Sequence, residues 1–403
     1  MVQAERRGRM KAVVVARAAS AARFPKADFS VTVSNWPETS GPLEMTFRTE
    51  YSIQGDDVRV PHDLWIDVVG EVSSLDDALG ILPDAAGVLT VMISISANAA
   101  IGPIAVHSAY DDSPGLSERD FFSFSLPEPQ RLPYPGRGVN LEATTALIGA
   151  VVHHPEGPRL HRAFTHYCQA LLHGTPGWEL MAVAHLYMAV DTLTKIVVAE
   201  ERHKSGAASN RDLAQDWGID VSQLDAEVRR RIIFQGNASV QDELNAISDA
   251  FEHGYRPIPE LRSRAASVVN DAARLVRAGI LKACKLDSLS TATLLGPPFE
   301  EVQPMYPITA VVKGKLRGGG SDLAAPGERH PVIEWESSVV GVQQAEGSRA
   351  NYQIEARSTR NRLGHGIEFE IEQIGFVVPP GVNVSQEPVQ LRYLDETDEQ
   401  VSS

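Results

Sequence analysis

A chain of 403 residues with 43% hydrophobic and 22% charged residues exceeds the size at which one core stops growing, so two or three globular domains are expected and global disorder is not. Its net charge of −15 works against non-specific binding of a polyanion, which draws affinity from cations that neutralise phosphates. Cys168 and Cys284 are its two cysteines, which argues against a disulfide framework and for a reducing compartment, so a cytoplasmic location is expected.

Residues 1–28 read as a basic N-terminal segment, with seven Lys or Arg against one acid in residues 1–26. It starts like a signal peptide, but Arg17 interrupts the apolar run after AVVVA, so secretion is not expected. Residues 29–135 read as a β-rich domain. The segments FSVTV, EMTFRTEYSI, LWIDVVGEV, VLTVMISISA, PIAVHSAY and FFSFS have strand-like patterns and are separated by Pro, Gly and Asp-rich turns. Between them, Ser74 and Asp77 have the spacing of a capped helix start and predict a short helix over LDDALGIL. Pro127, Pro129, Pro133 and Pro135 then mark a boundary, because proline removes backbone donors and disfavours helix in the residue before it.

From 141 to 285 the period becomes helical. Pro158 starts a helix over RLHRAFTHYCQALLHG that ends at Gly174, and Pro176 with Gly177 opens a long one from Trp178 to about His203. Apolar positions cover more than one face of that second helix, as expected when other helices surround it. Its most apolar stretch, LMAVAHLYMAV, falls short of the roughly 18 consecutive apolar residues that span a bilayer, so no membrane insertion is expected. Shorter helices follow over 210–217 and 221–234. Ser239 and Asp242 suggest a capping box for the next helix, with Val240, Leu244, Ile247 and Phe251 facing inward and Asp249 and His253 paired one turn apart on the wet side. The last long helix, PELRSRAASVVNDAARLVRAGILKAC, has an inward stripe of Leu261, Ala265, Val268, Ala272, Leu275 and Val276. Arg262, Arg264, Arg274, Arg277, Lys282 and Lys285 occupy its other side. Residues 295–390 return to a period of two in ITAVVKGKL, VIEWESSVV, NYQIEARS and GIEFEIEQIGFVV, which predicts a small antiparallel β domain, and 391–403 form an acidic tail.

Residues 245–255, NAISDAFEHGY, bring a helix to its end with His253 in the last turn and Gly254 as the stop. This text resembles the signature of the HEPN superfamily: an Arg, a polar residue, and a His five positions beyond the Arg. AHLYMAVDTLTK is similar to the second helix of such domains, and the resemblance covers about 141–285. It implies that the helical region is an all-α HEPN-like domain; with the strand patterns on either side, the chain reads as α+β, with that domain between an N-terminal β-rich domain and a C-terminal antiparallel β segment. The resemblance also implies RNA as a ligand, a homodimer, and a place in phage defence or stress response.

Carried over residue by residue, the resemblance makes His253 the acid–base group and Asp249 the polar position, and it puts Ser248 where the Arg belongs. A hydroxyl offers one donor and no charge, so a degraded, non-catalytic module that binds RNA or a partner is the leading expectation. Arg256, just beyond Gly254, could stand in for the missing cation. The nucleic-acid-binding candidates are Arg262, Arg274, Arg277 and Lys285. Two alternatives stay open: an active metal-independent ribonuclease using His253, and a structural component of a virion or large complex.

A second match in letters, Arg360-Asn361-Arg362-Leu363-Gly364-His365, has strand-like flanks and reads as a hairpin. Eight of the twelve histidines fall between 153 and 253, yet His154, His161, His166, His173 and His185 have no metal-ligand spacing, so no metal is expected. No GxSxG, GxxxxGK[ST] or GxGxxG motif appears, and no cofactor is expected.

Overall fold

The computed structural model describes residues 9–24, 28–34, 36–37, 39–54, 58–115, 118–124, 137–175, 177–296, 309–318, 323–328, 331–344 and 350–377. Pro127, Pro129, Pro133 and Pro135 and the acidic tail 391–403 lie outside these residues. The fold is α+β, and the chain divides into two compact units, residues 1–53 with 59–305 and residues 54–58 with 306–403.

The first unit begins with strands β1 (Met10–Ala19), β2 (Ala22–Arg23), β3 (Phe29–Val33), β4 (Leu43–Gln54) and β5 (Val58–Val72). After them come helix α1 (Leu75–Ala97) and strands β6 (Ala105–Asp111), β7 (Phe121–Ser123) and β8 (Arg137–Gly138). Six strands form one antiparallel sheet in the order β3-β4-β5-β1-β6-β7, while β2 and β8 pair in parallel. The basic N-terminal segment therefore supplies an inner strand of the sheet. Ala12, Val14, Ala16 and Ala18 alternate inward from β1, beside Leu64, Ile66 and Val68 of β5 and Leu43, Met45 and Phe47 of β4. These small inward residues on β1 leave room for α1, which packs against β1 and β6.

Ser74 caps α1 by accepting from the Asp77 amide, as its spacing predicts, but the helix does not stop after LDDALGIL. It runs through Pro83 to Ala97, so the segment VLTVMISISA expected as a strand is the second half of a helix. The physical reason is burial on several sides: Leu89, Met92, Ile93, Ile95 and Ala97 are all buried, and a continuous apolar run has no periodicity with which to tell a buried strand from a buried helix. Asn98 ends the helix in the left-handed conformation, φ 49°.

The helical part of the unit comprises α2 (Leu141–Val152), α3 (Gly157–Leu172), α4 (Glu179–Ser205), α5 (Asn210–Asp216), α6 (Leu224–Val228), α7 (Ala238–His253), α8 (Ile258–Ala283) and α9 (Ser288–Leu295). A 3-10 turn over 221–223 and a π turn over 229–233 flank α6. As its many-sided apolar pattern predicts, α4 is central, packing on α3, α8 and α7. Gly279 on α8 marks a close crossing, since a Cβ there would lie 3.1 Å from Leu193 on α4. By length and hydropathy both α1 and α4 would suffice to cross a bilayer, and 56% of each apolar window is buried within the protein.

One buried cation joins the sheet-covering helix to the helical array. Arg277 of α8 is 1% exposed and donates to the carbonyls of Ile95 and Ser96 at the end of α1 and of Leu294 at the end of α9. Last-turn carbonyls lack intrahelical partners and carry the negative end of the helix dipole, so a guanidinium satisfies them in both respects. Beside it, Tyr167 donates to Asn98 at 2.7 Å, and the hydroxyls of Ser96 and Thr144 are hydrogen-bonded to each other.

The second unit contains β9 (Thr309–Arg317), β10 (Val332–Gln344), β11 (Ala350–Arg362) and β12 (Glu368–Val377). Antiparallel pairs form between β9 and β12 and between β10 and β11. Arg360, Asn361 and Arg362 close β11, and the Ile367 amide bonds the Gly364 carbonyl at 2.9 Å around His365, so this second motif match is a strand and turn.

Candidate functional site

α7 starts two residues earlier than its text suggests. Asn237, not Ser239, is the cap, accepting from the Val240 amide. From there Val240, Leu244, Ile247 and Ala250 point inward, and Phe251 packs against the same core. The opposite face carries Asp249 and His253, with side chains 60% and 68% exposed and Asp249 Oδ1 3.4 Å from His253 Nε2. Gly254 stops the helix at φ 67°, its amide bonded to the Ala250 carbonyl. The reversed chain then brings Tyr255 back, and its hydroxyl donates to Asp249 Oδ2 at 2.5 Å. That hydrogen bond to a carboxylate raises the phenol pKa above its ordinary value.

Asp249 thus bridges an imidazole and a phenol on an open surface. The sequence pairs Asp249 with His253 correctly but gives no hint of Tyr255.

The cationic half of the expected chemistry is arranged differently. Ser248 is 2% exposed, and its hydroxyl bonds Glu252 Oε1 at 3.2 Å. Arg256 Nη1 is paired with Glu260 Oε1 at 2.5 Å. Arg264 forms a two-pronged bond to Glu243, 2.6 Å on each arm, which ties α8 to α7 and holds the Glu243 carboxyl below its usual range. An acid–base pair is present, therefore, while the nearest guanidiniums are already matched to carboxylates.

The basic stripe of α8 divides similarly. Arg262 is exposed; Arg274 lies 3.5 Å from Asp271; Lys285 lies 3.0 Å from Glu200, which also sits 3.5 Å from His154. Arg277 is inside the protein, because its position on the wheel faces the ends of α1 and α9 rather than water. Arg262 lies near the start of α8 and Lys285 just past its end, with about 21 helical residues or ~32 Å of helix between them, so they do not belong to one compact site. Burial pushes the thiols of Cys168 and Cys284 up to about 12, which removes both as nucleophiles at neutral pH.

Restoring the motif by Ser248→Arg places a guanidinium where 2% of the surface is open, and is expected to cost about 3 kcal/mol of stability. Urea unfolding followed by circular dichroism measures it. An unchanged midpoint would mean that position 248 opens to solvent.

Comparison of the chain with protein-family models, curated proteins and solved structures gives no match.

Proposed function

We propose that the chain is a non-catalytic binding protein whose helical part is a HEPN-like module that engages a protein partner, its nuclease chemistry lost. The observation that carries this reading is the matching of the local cations: Arg256 with Glu260, Arg264 with Glu243, and a buried Ser248 in the place of the phosphate-binding Arg. A developing phosphate charge would have to break an ion pair to gain a donor, and losing one such donor costs about 3 kcal/mol of transition-state stabilisation. The charge of −15 points the same way, since a polyanion gains little from a surface whose cations are neutralised. Residual association with RNA is the second reading, and exposed Arg262 is the observation that favours it.

The test is cleavage of a mixed-sequence RNA in chelator by the full chain and by His253→Ala. No cleavage by either, or equal trace cleavage by both, is the expected outcome. RNA cleavage by the parent that disappears in His253→Ala would establish the nuclease reading instead, with Arg256 released from Glu260 to hold the phosphate.

A further inference from the structure

Four aromatic rings from α3, α4 and the turn between them form one column. Trp178 stacks on His173 with centroids 5.7 Å apart, His173 stacks on His185 at 5.4 Å with planes 5° apart, and His166 lies beyond His185 at 6.0 Å with its ring tilted by 30°. His166 lies in α3, His173 caps that helix, Trp178 caps the start of α4, and His185 follows within α4. The column thus joins the end of one helix to the beginning of the next. Trp178 is 56% exposed and the histidines are half-buried.

Stacked parallel rings set their nitrogens side by side, whereas metal ligands must converge on a point. Among the described residues no group of three or more His, Cys, Asp and Glu is placed to hold a metal ion. The surroundings are also cationic rather than acidic. Arg162 of α3 acts on His166, and His173 and His166 act on His185. From α1, α7 and α8, which pack against α3 or α4, no carboxylate acts on His166 or His185 among the described residues. His154 differs, with Glu200 3.5 Å away. Nδ1 of His185 is buried without a hydrogen-bond partner.

We propose that this column is an acid-sensitive latch: stacked while neutral, it holds the α3–α4 junction closed, and protonation sets neighbouring imidazoliums and Arg162 against one another and opens it. Burial lowers the pKa of His166 and His185 below the ordinary imidazole value, Arg162 lowers that of His166 further, and His173 and His166 lower that of His185 further. A histidine with a lowered folded-state pKa favours the closed form while it is neutral. That stability is complete above about pH 6.5 and is lost as pH falls toward the lowered value.

Hydrogen exchange of the full chain at pH 7.5 and pH 5.5, corrected for the intrinsic rate, tests this. Segments covering His166, His173, Trp178 and His185 are expected to exchange roughly tenfold faster at the lower pH, with a smaller change in α8. His185→Phe keeps a ring in the middle of the column without a titrating nitrogen, and is expected to remove most of the response while leaving protection at pH 7.5 unchanged. His166, lowered by burial and by Arg162, and His161, lowered by burial on the same helix, account for what remains. Equal protection of the parent at both pH values, a response spread evenly over the helices, or an undiminished response in His185→Phe would each overturn the latch. The first two need no variant to fold.

Discussion

Arg277→Met is expected to lower stability by about 4 kcal/mol. The side chain fills no apolar role that methionine could not match in volume; what is lost is donation to three carbonyls at the ends of two helices. The Ile95 carbonyl keeps the Asn98 amide at 3.3 Å, but the Ser96 and Leu294 carbonyls stay buried when the guanidinium goes, and each unsatisfied acceptor costs about 1–3 kcal/mol. Burial lowers the Arg277 pKa to about 10, so the group is charged at neutral pH and the bonds are charge-assisted. Arg277→Lys is expected to recover little, because an ammonium cannot reach both helix ends with the spread of a planar fork. Urea unfolding monitored by circular dichroism checks both variants. A midpoint within error of the parent would remove Arg277 as the tie between α1, α8 and α9.

The second large effect is expected at Phe164→Ala. Phe164 is fully buried on α3, the helix that packs against α1, α2, α4 and α8, so its ring lies in a core running from the sheet layer into the helices. Removing it takes away the transfer free energy of the ring and leaves a cavity, together about 4 kcal/mol. Because the sheet and helices of the first unit share that core, both are expected to lose stability together. Loss of helical signal with an unshifted β transition would show two separate cores.

Periodicity carried most of the fold. α3, α4 and α8 announce themselves by Pro near the start, Gly or a polar turn at the end, and an apolar stripe between, and their observed ends fall within two residues of expectation. β4, β5 and the four strands of the second unit follow from alternation. Two elements failed for opposite reasons. α1 is surrounded on enough sides that its second half has no polar face, and its β-branched residues imitate a strand. β1 hides within a basic N-terminal segment because Arg17 interrupts its apolar run, yet Arg17 is the outward member of an alternating inner strand.

At the candidate site the helix wheel placed Asp249 and His253 together on the wet face, and the structure does the same. The wheel could not place what depends on tertiary register. Arg277 lies on the polar side of a helix text and yet faces two helix ends, the return of Tyr255 depends on the turn at Gly254, and the histidine column needs α3 and α4 side by side. None of these has a short-range spacing rule.

The guanidiniums nearest the end of α7, Arg256 and Arg264, are committed to carboxylates, which leaves exposed Arg262 as a weak site for phosphate. That commitment is tested most directly by fluorescence anisotropy of a labelled single-stranded RNA titrated with the full chain at low and at physiological salt. No saturable binding is expected at either salt concentration. Tight binding at low salt that falls steeply as salt rises, and that is weakened by Arg262→Ala and Arg256→Ala, would contradict it.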